Sequence, residues 1–169
     1  VKNKSIYQWD LSLTLSPKTG LAIVEKKLCD LPPNSSQLSG LGENSDGTLV
    51  SFGYKIEEQN IIAVVNIKTG EQQEVARVSF PIQHIQFSWT RPDLISFARS
   101  YGGDTAPLDP NEPAHARIWF VNVNTKTPVP AFYQVPGELV THECWWLNDQ
   151  ITFIGGFMPE EGNVKSLDL

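Results

Sequence analysis

Short apolar runs rich in β-branched and aromatic residues recur along this chain, and polar turn pairs separate them. The runs at 49–52, 61–67, 94–98, 118–123 and 151–154 are bounded by Asp46-Gly47, Thr69-Gly70, Pro92-Asp93, Asn124-Thr125 and Asn148-Asp149. Apolar runs framed in this way are strand and hairpin signals. No stretch carries convincing helical periodicity. The order is strand, turn, strand, loop, strand, turn, strand, and it returns with a period of about 45 residues. A weaker copy leads the chain at 13–24, and Pro32-Pro33-Asn34-Ser35-Ser36 reads as a linker after it. Four short strands per unit at this period predict an all-β chain of β-propeller blades, about three of them. The units fall at about 1–40, 41–80 and 81–135, with an incomplete one at 136–169. Residues 101–114, rich in Pro, Gly and Asp, interrupt the third unit and read as a surface loop.

Two stretches of the repeat carry a histidine at the same place. Gln83-His84-Ile85-Gln86-Phe87-Ser88-Trp89 is matched, about 58 residues on, by Val140-Thr141-His142-Glu143-Cys144-Trp145-Trp146. Each opens on a His, runs through an aromatic strand pattern and reaches a polar turn. Equivalent positions in a propeller converge on one axis, so His84 and His142 are expected at the same end of their blades.

Composition narrows the function classes. The chain has 169 residues, a formal net charge of −6 and a pI near 5.0, with 40% hydrophobic and 19% charged residues. That is a globular composition. No Lys/Arg cluster provides an electrostatic footprint for nucleic acid. No apolar run approaches the roughly 20 residues of a membrane helix, and no signal peptide is legible. The chain opens on Val1 and its only methionine is Met158, so it reads as a piece of a longer protein. The expected setting is bacterial cytoplasm or periplasm. Cys29 and Cys144 decide little; Cys144, in an apolar strand, is expected as a buried free thiol.

The candidate chemistry is carried by few residues. Neutral imidazole is a common transition-metal ligand, and a His near a metal also serves as a general base. A His that caps a strand and bonds to backbone is the plainer alternative for both His84 and His142, and no HxH, HExxH or CxxC spacing decides between them. His115 lies in the interrupting segment and reads as solvated. Arg99 and Arg117 flank that segment. Arginine suits bidentate recognition of carboxylates, although a solvated loop position is the plainer reading of each. Trp89, Trp119, Trp145 and Trp146 belong to the repeat and are expected in the core or between blades.

Taken together, His84-Ile85-Gln86-Phe87-Ser88, Pro92-Asp93-Leu94, Arg117-Ile118-Trp119 and Thr141-His142-Glu143 ahead of an aromatic pair resemble a known family in order and spacing. That family is the oligogalacturonate lyases, bacterial enzymes of pectin breakdown, and the resemblance covers roughly residues 45–157. It implies a seven-bladed β-propeller that cleaves short galacturonate oligomers by β-elimination with Mn²⁺ or a similar divalent cation. The proton on C5 of a uronate is α to a carboxylate and very weakly acidic. A cation on that carboxylate stabilises the carbanion-like state, a His removes the proton and an Arg supports the charge. Carried over, His142 matches a metal ligand, and His84 and Arg99 take the catalytic places. The partners implied are an oligogalacturonate substrate and the remaining blades of the same protein.

Two departures weigh against retained chemistry. Where the family has Cys-His-Glu-Gly, this chain reads Ala98-Arg99-Ser100-Tyr101-Gly102, and the family's downstream Gln and His-x-His pair do not occur before Leu169. About three blades cannot close a ring, so the chain taken alone is expected to be inactive. A non-catalytic propeller of the TolB or WD40-like kind, acting as a protein-binding platform, is the alternative. A peptidase propeller domain is a third, although no Gly-x-Ser-x-Gly elbow is present.

Overall fold

The computed structural model describes residues 4–12, 22–100, 115–146 and 149–157. Strands β1 (Ser5–Ser12) and β2 (Ala22–Asp30) pair antiparallel. Four strands follow as one antiparallel sheet in chain order: β3 (Ser36–Glu43), β4 (Leu49–Ile56), β5 (Gln59–Asn66) and β6 (Gln72–Val78). A second sheet repeats that order with β7 (Ile82–Phe87), β8 (Leu94–Arg99), β9 (His115–Asn122) and β10 (Val129–Gln134). The last pair is β11 (Glu138–Trp146) with β12 (Gln150–Phe157). Successive four-stranded antiparallel sheets are the blades that the sequence period predicts.

The alternation of the strands explains how the blades stack. Along β5, Ile61, Ala63 and Val65 face a cluster with Ile6, Leu28 and Phe52. Ile62 and Val64 point the other way, into a cluster with Ile85, Phe87 and Phe97. The strand is apolar throughout because both of its faces are covered, one by the preceding blade and one by the next. The core is therefore a series of layers between sheets rather than one central body.

The first strands of neighbouring blades approach closely, and glycine makes this possible. A Cβ on Gly40 would lie 2.8 Å from Ile85 Cβ, and one on Gly53 would lie 2.4 Å from Ile85 Cδ1. Gly40 also holds φ +58°, a conformation that suits glycine. Ile85, from β7, fills the space that side chains at these two positions would need.

The turns after the first strands are tied together as well. Asn44 donates to the carbonyl of Pro92 at 3.0 Å. Ser88 donates to the Asp149 carboxylate at 2.9 Å, and Thr90 donates to the same oxygen. Each bond joins one blade's first turn to the next blade's first turn.

Several expectations change. The first four-stranded sheet opens at Ser36 rather than near 41, so Ser36 is a strand residue and not linker. The β3 sequence, Ser-Gln-Leu-Ser-Gly-Leu-Gly-Glu, hides this because its inner contacts are made by glycine instead of by alternating apolar side chains. His115 is the first residue of β9, opposite Gln134, and not part of a loop. Residues 101–114 lie outside the described residues, as does most of the weak leading copy. Cys144 is free but only half-buried, with its sulfur 3.6 Å from the Thr152 hydroxyl. Trp145 is buried as expected, whereas Trp89 and Trp146 are about half exposed and lie against each other with ring centroids 6.0 Å apart.

Candidate functional site

His84 and His142 sit on the same local irregularity. In β7, Gln83 pairs with Ala98 and Gln86 with Ser96, so the two residues between them face a single partner position. In β11, Thr141 pairs with Ile154 and Cys144 with Thr152, the same arrangement. The first residue of each bulge is the histidine, with φ +51° at His84 and +55° at His142. Positive φ is uncommon outside glycine, and a bulge re-aims a side chain out of the normal strand alternation. The two imidazoles thus occupy equivalent places on neighbouring first strands, at the same end.

A third copy of the bulge is not legible in the sequence. In β3, Ser39 pairs with Gly53 and Gly42 with Ser51, as Gln83 pairs with Ala98 and Gln86 with Ser96 in β7, and Gly40 after Ser39 has φ +58°. Gly40 is therefore the counterpart of His84 and His142 one blade earlier. Its neighbours Ser39 and Leu41 carry no aromatic strand pattern, so nothing in the sequence aligns it with the histidines.

The site is organised around Glu143, the residue after His142. Its side chain is 4% exposed. One carboxylate oxygen is hydrogen-bonded to His84 Nδ1, and the other accepts from Arg117 Nε at 2.6 Å. Arg117 projects from β9 and its side chain is fully buried. Its Nη1 donates to the Arg99 carbonyl at 2.8 Å. Gln86 Nε2 donates to the Glu143 carbonyl at 2.5 Å, and the Trp145 indole N–H reaches the Gln86 carbonyl at 3.4 Å. The first strands β7 and β11 are thereby pinned across the blade boundary, with an Arg–Glu–His chain running from the interior to the surface.

The electrostatics follow from the contacts. Burial pushes the Glu143 carboxyl up, but the hydrogen bonds with His84 and Arg117 outweigh it and hold the group below the ordinary glutamate range. His84 is the outward end of the chain, with 34% of its side chain exposed. His142, the residue before Glu143, is exposed.

The two arginines depart from the solvated loop positions that the sequence suggests. Arg117 is the buried brace of the site, because β9 turns it inward where Glu143 offers an opposite charge. Arg99 is half-buried at the end of β8, with its guanidinium 5.1 Å above the Phe80 ring. It joins the Arg117 network through its carbonyl oxygen. Among the described residues, no group of three or more His, Cys, Asp or Glu side chains gathers in a way that could hold a metal ion. His142 stands apart from the Arg–Glu–His chain, and the His84 Nδ1 is engaged by Glu143, so the described residues do not make up a Mn²⁺ site by themselves. A groove of about 350 Å³ lined by Glu74, Arg77, Lys126 and Pro128 lies on outer strand β6, apart from these first strands.

The fold and this arrangement define a β-propeller segment with a polar site on its first strands. Two solved structures are similar to it. One is an oligogalacturonate lyase in complex with manganese, at 16% identity and a TM-score of 0.63. The other is an oligogalacturonate lyase from Vibrio parahaemolyticus, at 17% identity and a TM-score of 0.66. Each match covers 79% of this chain and 39% of the solved chain, so the chain spans well under half the length of these structures. At such identities the likeness establishes the propeller fold. No family model and no curated protein matches the sequence.

Proposed function

We propose that the whole protein cleaves short galacturonate oligomers by β-elimination, as the oligogalacturonate lyases of similar fold are named for doing. The observation that carries this reading is the pair of equivalent bulges. They set His84 and His142 at one end of adjacent first strands, with His84 bonded to a buried carboxylate. The structural likeness supports the same reading.

In this scheme His84 is the proton acceptor. It takes the proton on C5 of the uronate, the C5–H electrons form the C4–C5 double bond, and the C4–O4 bond breaks. The electron pair leaves on the glycosidic oxygen, which becomes the anomeric hydroxyl of the departing sugar by taking a proton from water. The imidazolium formed at His84 is stabilised by the Glu143 carboxylate behind it. Arg99, held over Phe80, supplies positive charge towards the substrate carboxylate. Mn²⁺ or a similar cation is proposed at His142, with the other donors coming from outside the described residues.

The test uses the whole protein with digalacturonate and trigalacturonate, Mn²⁺ supplied, and ultraviolet absorbance of the unsaturated uronate product. Turnover is expected, and His84→Gln should reduce it by roughly 10²-fold or more, the usual scale of a general base. No turnover by the whole protein would reject the enzyme reading. The protein-binding platform would then stand, favoured by the replaced Cys-His-Glu-Gly element and by the exposed Trp89–Trp146 pair.

A further inference from the structure

A buried Arg–Glu pair is an expensive way to join two blades. Well-packed apolar residues of similar volume often serve as well or better. Here the pair does not end in the interior. It continues to an imidazole that is one-third exposed, set by a bulge at positive φ. The chain Arg117–Glu143–His84 is graded from fully buried to solvent-facing, and only its last member is placed to meet a ligand.

We propose that Glu143, braced by Arg117, is a positioning residue: it fixes His84 as the Nδ1–H tautomer and leaves Nε2 as the accepting nitrogen for the elimination proposed above. The reasoning is one of donors and acceptors. Arg117 Nε occupies one oxygen of Glu143 at 2.6 Å. Beside a fixed guanidinium the carboxylate remains ionised, and an ionised carboxylate only accepts hydrogen bonds. The hydrogen bond between Glu143 and His84 Nδ1 therefore requires the proton on Nδ1. In neutral imidazole the other nitrogen is then a free lone pair. Rotation is resisted from both ends. Arg117 Nη1 is tied to the Arg99 carbonyl at 2.8 Å, and the Glu143 backbone is tied to Gln86 at 2.5 Å. When Nε2 takes a proton, the positive charge arises next to a carboxylate already in place, so no reorganisation is needed at that moment.

The experiment is ¹⁵N spectroscopy of histidine-labelled whole protein, with the His84 signals assigned from His84→Gln. In the neutral form, His84 should show a protonated Nδ1 and an unprotonated Nε2. In Glu143→Gln, whose amide can either donate or accept, the signals should move towards a tautomer mixture. The kcat on digalacturonate should fall by roughly 10²-fold with KM little changed, as expected when general-base catalysis is impaired. A wild-type His84 protonated at Nε2 would overturn the proposal without recourse to any variant. So would an unchanged tautomer in a folded Glu143→Gln protein. The tautomer is read without turnover, so a locked tautomer in an inactive protein would reject the lyase reading and retain the positioning role.

Discussion

At the scale of the residue, Arg117 and Glu143 carry the largest consequences. Removing one partner of a buried ion pair leaves an uncompensated charge, which costs about 3–5 kcal/mol. Arg117→Met should lower stability by about that much in urea unfolding, while Glu143→Gln, which keeps a hydrogen-bonding side chain, should cost less. Glu143 also sets an acid dependence. Its folded value lies below the ordinary glutamate range, so its contribution is complete above that range and is lost as pH falls through the lower folded value. The stability difference between wild type and Glu143→Gln should therefore shrink as pH falls from the ordinary glutamate range through the lower folded value. A difference that stays constant over that interval would show that the ion pair does not form. None of this is legible in the sequence. Arg117 follows a Pro-rich segment, where a solvated position is the natural reading, and Glu143 stands out only as a neighbour of His142.

At the scale of the element, the packing of β3 on β7 depends on glycine. Gly40→Ala places a methyl group 2.8 Å from Ile85 Cβ at a φ of +58°, so both crowding and backbone strain apply. A loss of about 1–3 kcal/mol is expected. Ile85→Ala should cost about 2–5 kcal/mol by leaving a cavity. Combined with Gly53→Ala in β4, Ile85→Ala should be less unstable than the two single losses added together, because truncation removes the Ile85 Cδ1 that a Cβ at Gly53 would strike. Strict additivity in a double-mutant cycle would mean that the strands do not meet as described. The strand pattern itself is legible where both faces are buried, as in β5. It is not legible in β3, where glycine replaces the side chains that signal a strand.

At the scale of the whole molecule, the axis of the propeller is where the equivalent positions matter. His142→Ala in the whole protein should abolish the Mn²⁺ binding detected by calorimetry, with the metal titrated alone. Unchanged affinity would return His142 to a structural role at its bulge. The matched structures are about twice as long as this chain, so this experiment uses the whole protein.

The sequence by itself determined the class of fold, the period of the blades and the equivalence of His84 with His142. Those features are written in local alternation and in turn residues, which act over a few positions. The tertiary structure alone decided that Gly40 shares that equivalence, that Arg117 is buried and that Glu143 reaches back across a blade boundary to His84. The backbone bulges at 40, 84 and 142 arise from pairing between strands. The ion pair joins residues 26 positions apart and the His–Glu bond residues 59 apart. Contacts of that span leave no periodic trace in one chain, because they depend on which blade faces meet and not on the order of neighbouring residues.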